Sequence, residues 1–151
     1  LGGDFVAAAV AALHNGKLPC ITVDMGTATA IGVLDAEGHY VGGAICPGVA
    51  VSVSALARNT AQLPNISLQA PGSVIGKSTE DSMRSGLFYG CAALLDGLVE
   101  RMEGELGQRV HVIVTGDFAP AVVPLCRREM ELDESLIMRG LWLIWQRNRK
   151  N

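Results

Sequence analysis

The chain has 151 residues, 49% of them hydrophobic and 18 of them glycine, and a formal net charge of −3. Such a length and composition fit one ordered domain with a sizeable core and many tight turns, and exclude a disordered chain. Mild acidity, with a basic cluster only at Arg147, Arg149 and Lys150, excludes nucleic acid or an anionic membrane as the main partner.

No apolar run reaches the 18 residues of a membrane span, and no signal peptide is expected. Cys20, Cys46, Cys91 and Cys126 are widely spaced with no C-x-x-C pair, and His14, His39 and His111 are scattered. A reducing cytoplasm is the expected setting, and no zinc site is expected. The chain begins at Leu1 and enters a helical pattern almost at once, as a piece of a longer protein would.

The glycine loop of Gly2 and Gly3 ends in Asp4, and the alanine-rich run 5–13 reads as a buried helix stopped at His14-Asn15-Gly16. Asp4 has two readings, an N-cap whose carboxylate accepts backbone N–H bonds or a catalytic base. The stretch 20–33 places β-branched runs on both sides of a break at Met25-Gly26, which predicts two strands and a tight turn. Asp24, Gly26 and Thr27 at that break suit an ordinary turn, and equally a site for a cation and a phosphate.

A strand over 29–35, a turn at 36–38 and a strand over 39–45 complete three antiparallel strands in a row. Pro47 and Gly48 lead into a helix over 49–63, and 63–76 reads as a long loop with an extended piece. Ser78 and Asp81 resemble a capping box for the longest helix, 79–106. Its apolar stripe is Met83, Leu87, Cys91, Leu94, Leu98 and Met102, and its Gly86, Gly90 and Gly97 suggest close approach of another helix, across a dimer interface for instance. Thr79 either belongs to the cap or offers a hydroxyl to an anion at the helix N-terminus.

A short buried strand, 111–115, ends in Thr115-Gly116-Asp117, which fits a nucleotide contact or a plain strand-to-helix turn. Helices are predicted over 119–126 and 133–148. Leu136, Ile137, Gly140, Leu141 and Ile144 form one face of the last, with Trp142 and Trp145 near it as packing residues.

In order along nearly the whole chain, these segments resemble the C-terminal half of a type III pantothenate kinase. The motifs that carry the resemblance are G-G-D (2–4), D-M-G-T-A-T (24–29), G-G-A-I-C-P-G (42–48), L-A-R-N-T-A-Q-L-P (56–64) and I-G-K-S-T (75–79). S-G-L-F-Y-G, V-T-G and the closing G-L-W-L-I-W-Q-R-N follow in register. The resemblance implies an α/β fold of the acetate and sugar kinase, chaperone ATPase and actin type. That is an RNase-H-like domain whose mixed sheet starts with three antiparallel strands and is flanked by helices.

It further implies a homodimer that uses ATP with Mg2+ and a monovalent cation, K+ or NH4+, to phosphorylate pantothenate in the first step of coenzyme A synthesis. Asp4 would accept the hydroxyl proton, and Gly2, Gly3, Phe5 and Thr79 would line the substrate. Asp24 would bind the cation, Gly26 and Thr27 would contact phosphate, and Thr115 and Gly116 would lie near adenosine. The whole chain would be the substrate-binding and dimerisation domain, with the N-terminal ATP-binding half outside it.

Three positions depart from the family pattern: Phe5 for an arginine that could grip a carboxylate, Asp117 for a glycine, and Ala8 for a frequent asparagine. The departures leave a non-catalytic, regulatory dimeric relative as the alternative, or another phosphotransferase of this fold acting on a less acidic substrate.

Overall fold

The computed structural model describes residues 2–59 and 67–150. Helix α1 (Gly3–Asn15) leads into β1 (Cys20–Met25), β2 (Ala28–Leu34) and β3 (Tyr40–Pro47), then α2 (Val49–Asn59) and α3 (Thr79–Leu106). β4 (His111–Thr115), α4 (Ala119–Val122), β5 (Glu131–Leu132) and α5 (Leu136–Arg149) complete the chain. The five strands form one sheet in the order β3-β2-β1-β4-β5, antiparallel across β3, β2 and β1 and parallel across β1, β4 and β5.

This is the mixed sheet with a three-strand antiparallel start that the sequence predicts, and its physical logic is alternation. β1 is central, and successive side chains leave it on opposite faces. Ile21, Val23 and Met25 join Val112 and Val114 of β4 in a cluster closed by Leu87, Phe88, Leu95 and Val99 of α3 and Val122 of α4. Cys20 and Ile113 point the other way, into a cluster with Ala8, Ala11 and Ala12 of α1 and Leu136 of α5. The result is three layers, helices α1 and α5 on one face and α3 and α4 on the other. Each fully buried large side chain, such as Phe88 or Leu95, contributes about 1.5–3 kcal/mol to holding them together.

Small residues set how closely α1 and α5 approach. A Cβ on Gly140 would stand 2.8 Å from the Ala7 Cα. The two helices therefore touch backbone to backbone, which alanines on α1 and a glycine on α5 permit.

Several expectations are corrected. Asp4 sits inside the first turn of α1, not at its cap, which is Gly2 with extended backbone and no side-chain bond. The predicted helix 119–126 is helical only to Val122 and tightens into a 3₁₀ turn, Val123–Leu125, because Pro124 has no N–H to continue the ladder. The last helix starts at Leu136, since Asp133 turns the chain by accepting a bond from the Ser135 N–H at 3.1 Å. β5 is a strand that the sequence reading lacks. The end of the predicted helix 49–63 and the start of the loop 63–76 lie outside the described residues.

Long helix α3 has the predicted bounds and cap, with the Asp81 N–H on Ser78 Oγ at 3.1 Å. Its buried face is Ser85, Leu87, Phe88, Ala92, Leu95 and Val99, rotated from the predicted stripe. Of the predicted stripe, Leu87 lies in the core and Cys91, Leu98 and Met102 pack against it, while Met83 and Leu94, with Leu87 and Cys91, wall an open apolar groove against α2, about 650 Å³ in volume. Among the described residues, nothing outside the helix's own backbone and the adjoining residues lies within 4 Å of a Cβ built on Gly86, Gly90 or Gly97.

Candidate active site

Strand register brings the two acidic motifs together. Asp24 is the fifth residue of β1 and leaves it on the face of Cys20, which is the α1 and α5 side. In the parallel pairing Asp24 stands beside Thr115, the last residue of β4, on that same face. The turn after β1 and the turn after β4 therefore open at one edge of the sheet, the carboxyl ends of its parallel strands, where α/β folds bind ligands.

Gly116 makes that edge possible. Its φ is +105°, a conformation that side-chain-bearing residues rarely adopt, and a Cβ there would lie 2.6 Å from the Met25 backbone N, C and O. The chain leaving β4 thus crosses directly against the end of β1. Gly48 supports the neighbouring turn: a Cβ on it would come within 2.6 Å of the Gly26 carbonyl oxygen. It holds Gly26 and Thr27 at the apex between β1 and β2, with Thr27 exposed.

A cavity of about 300 Å³ opens at this edge, walled by Asp24, Thr115, Gly116 and Asp117 and, from the other side, by Glu134, Ile137 and Met138. Thr115 is buried, at 3% exposure, whereas Asp117 is exposed. Burial raises the Asp24 carboxyl above its ordinary value of 3.8, and the negative charges of Asp4 and Asp117 raise it further. The first turn of α1 is therefore close enough to the end of β1 for the two motif aspartates to feel each other. Asp24, Asp117 and Glu134 give the cavity a negative lining, although among the described residues no three acidic, histidine or cysteine side chains are grouped closely enough to hold a metal ion.

Other predicted site residues are distributed around this centre. Gly2, Gly3 and Asp4 are exposed at the start of α1. Phe5 is half-buried and points to the sheet, where its ring meets Tyr40 edge-on at 6.3 Å and covers Gly32. It fills a notch that a glycine leaves on β2, a packing role the sequence did not suggest. Thr79 is exposed at the start of α3 and does not line the Asp24 cavity. The loop before it is fastened to α3, with the Arg84 Nε–H donating to the Gln69 carbonyl at 2.8 Å and the Ser85 hydroxyl to that of Val74.

Glu134, Ile137 and Met138 were missed by sequence reasoning. Nothing local marks them, because their position depends on how α5 packs on α1. A larger polar cavity, about 450 Å³, lies at the opposite ends of β1 and β4 among Lys17, His111, Arg128 and Glu131. Within it His111 and Lys17 reach Glu131 at 2.5 and 3.7 Å, and Arg128 pairs with Glu103.

Comparisons with known proteins agree with the motifs. The family described as type III pantothenate kinase matches residues 1–101. The chain is 39% identical over its full length to a type III pantothenate kinase of Koribacter versatilis, covering 55% of that protein. It is 44% identical over 149 residues to one of Anaeromyxobacter sp. strain Fw109-5, covering 59%. The chain thus spans somewhat over half the length of the curated relatives it matches.

Among solved structures, a Baf family transcriptional activator described as putative, from Campylobacter jejuni, superposes with a TM-score of 0.69 at 24% identity, over all of this chain and 66% of that one. The activator of a 2-hydroxyisocaproyl-CoA dehydratase from Clostridium difficile, solved with bound ADPNP, superposes with a TM-score of 0.54 at 12% identity, over 97% and 68%. At those identities the likeness concerns the fold alone.

Proposed function

The chain belongs to the type III pantothenate kinase family, and from that premise we propose that it is the C-terminal, substrate-binding half of an enzyme that phosphorylates pantothenate with ATP. The observation that carries this reading is the meeting of Asp24 with Thr115 and Gly116 at one edge of the sheet, where the charge of Asp4 also helps to raise the Asp24 carboxyl.

Phosphoryl transfer asks for positioning, charge neutralisation and one carboxylate to take the hydroxyl proton. Asp4, exposed at the head of α1 and carried on a rigid helix, is the proton acceptor for the pantothenate hydroxyl. Gly2 and Gly3 leave room for substrate beside it, since among the described residues nothing beyond the adjoining chain lies within 4 Å of a Cβ at either. Asp24 holds a monovalent cation, K+ or NH4+; its raised carboxyl and the neighbouring charges of Asp4 and Asp117 fit that role. When bound, the ion supplies positive charge beside the transferring phosphate. Gly26 and Thr27 orient the phosphates of Mg2+-ATP, Thr115 and Gly116 lie along the adenosine side, and Thr79 closes on pantothenate when the site assembles.

The rest of the ATP site belongs to an N-terminal half, which the greater length of the relatives supports. A second copy of the chain docks along the apolar groove between α2 and α3, where Gly86 and Gly90 leave space for its approach.

A coupled assay on the intact protein with K+ tests the reading: pantothenate-dependent ATP consumption is expected, and its absence would overturn it. Asp4→Asn should lower kcat by about 10²–10⁴-fold, the usual worth of a general base. Phe5 favours one second reading, a binding module without catalysis, because its ring is spent on Tyr40 and cannot grip a carboxylate. Calorimetry separates the two: pantothenate binding abolished by Asp4→Asn in a protein with no turnover would favour the module.

A further inference from the structure

Both reactants of the proposed transfer are anions, yet the edge of the sheet where they meet is lined with carboxylates. Asp24, Asp117 and Glu134 wall its cavity, and the charge of Asp4 reaches Asp24. Basic side chains on the neighbouring helices are committed elsewhere. Arg139 of α5 is held by Asp133 at 2.6 Å, and Arg84 of α3 by Asp81 at 3.6 Å and by the Gln69 carbonyl. Phe5, beside Asp4, carries no charge, and its ring lies against Tyr40. An acceptor that carries a carboxylate therefore needs a cation from another segment to offset this field.

Lys77 is uncommitted and held in place. It lies just before α3, is exposed, and among the described residues makes no ion pair and no hydrogen bond. Asp81, which shares a small cavity with it, is paired with Arg84. The backbone beside Lys77 is fastened to the helix: the Ser82 hydroxyl donates to the Gly76 carbonyl at 3.5 Å, and a Cβ on Gly76 would stand 2.4 Å from the Ser82 backbone nitrogen. Its place in the fold also suits the role. Ser82 and Met83, in the first turns of α3, face Pro47 across the groove beside α2. Gly48, next to Pro47, packs on the Gly26 carbonyl oxygen in the turn after β1. The start of α3 and the phosphate-side turn therefore stand at one end of the molecule. Arg58, by contrast, is at the far end of α2 from Gly48, about 15 Å along the axis, and its Nε–H donates to the Ser54 carbonyl at 3.4 Å.

We infer that Lys77 is a specificity-determining residue for the acceptor, its ammonium pairing with the acceptor's carboxylate while Asp4 takes the proton at the hydroxyl. The inference rests on, and deepens, the reading above that the acceptor is pantothenate. A lysine presents a mobile point charge and not a fixed two-bond fork, so selection falls on charge more than on shape. Acceptors that end in a neutral group lose this pairing and are disfavoured.

Steady-state kinetics of the intact protein with K+ tests this, with pantothenate and the uncharged N-methylamide of pantothenic acid as acceptors. The preference for pantothenate, the ratio of the two kcat/KM values, should fall about 10–100-fold in Lys77→Met, the worth of a hydrogen bond to a charged group. The loss should appear in the KM for pantothenate with kcat little changed, and Lys77→Arg should recover most of it. In wild type the preference should weaken as salt is raised. An unchanged preference in Lys77→Met would overturn the inference. So would equal losses on both acceptors, or a rise confined to the KM for ATP, which would put the ammonium on phosphate. Wild-type turnover separates this inference from the kinase reading. Turnover with an unchanged preference in Lys77→Met overturns the role of Lys77 alone. Without any pantothenate-dependent turnover the kinase reading falls, and calorimetry decides on Lys77. Pantothenate bound more weakly by Lys77→Met, with the methylamide unaffected, retains the carboxylate contact; equal binding by both proteins, or binding by neither, removes it.

Discussion

Replacing Gly116 by alanine tests whether the edge of the sheet is built as described. The added Cβ would lie 2.6 Å from three backbone atoms of Met25, and no rotamer change can move a backbone away. Overpacking of this kind costs about 1–3 kcal/mol. The φ of +105° adds about 1–3 kcal/mol for a residue with a side chain. Alanine lowers the entropy of the unfolded chain, which offsets about 0.4–1 kcal/mol. The expected loss is therefore about 1–5.5 kcal/mol, to be set against the ~5–15 kcal/mol that ordinarily separates folded from unfolded protein.

Urea unfolding followed by circular dichroism measures it, with Gly104→Ala as the control. Gly104 lies within α3, and among the described residues nothing outside the helix's own backbone and the adjoining residues is within 4 Å of its added Cβ. Alanine there should stabilise by about 0.5–1 kcal/mol. A Gly116→Ala variant within ~0.5 kcal/mol of wild type would refute the close crossing of β4 over β1, and with it the shape of the site.

Further expectations concern charge and thiols. Because the Asp24 carboxyl is raised above 3.8, the folded protein binds a proton that the unfolded chain has released in that window, so this group's contribution to stability falls as pH rises through it. Asp24→Asn should be the more stable protein at pH 7, with the advantage shrinking towards pH 4; a constant difference would show that Asp24 is not repelled. Cys20 and Cys126 are pushed up to about 12 by burial, which leaves roughly one thiolate in 10⁴ at pH 8. A disulfide reagent should label them only as urea unfolds the protein, and rapid native labelling of Cys20 would contradict its burial. Arg128 and Glu103 are each 17% exposed at the side chain, and Arg128 also donates to the Val110 carbonyl at 2.7 Å. Glu103→Ala, which leaves the guanidinium unpaired, should cost about 2–3 kcal/mol, below the ~3–5 of a fully buried pair. Arg128→Met in the Glu103→Ala background should recover part of that loss in the same urea titration.

Local signals in the sequence determined most of the elements and the identity of the motifs. The β-branched runs around Met25-Gly26, the Ser78–Asp81 cap and the alanine run after Asp4 are each written within a few residues, and each appears where expected. Asp24, Thr115 and Gly116 were legible as candidates through the order of the motifs that contain them, since aspartate and glycine alone are common turn formers. Their meeting was not legible. It depends on β1 pairing in parallel with β4 across some 90 residues, a register that no short window encodes.

Tertiary structure alone decided the outer parts of the site and the faces of the helices. Phe5 read as a gap in a substrate motif until the sheet offered it Gly32 and Tyr40 to pack against. Trp142 and Trp145 read as packing residues beside the apolar face, yet the rotation of α5 is set by backbone contact between Gly140 and Ala7, and both indoles are exposed. Period and composition show that a helix has an apolar side. Which side is buried depends on where neighbouring backbones come closest, and here one glycine on α5 and one alanine on α1 settle it.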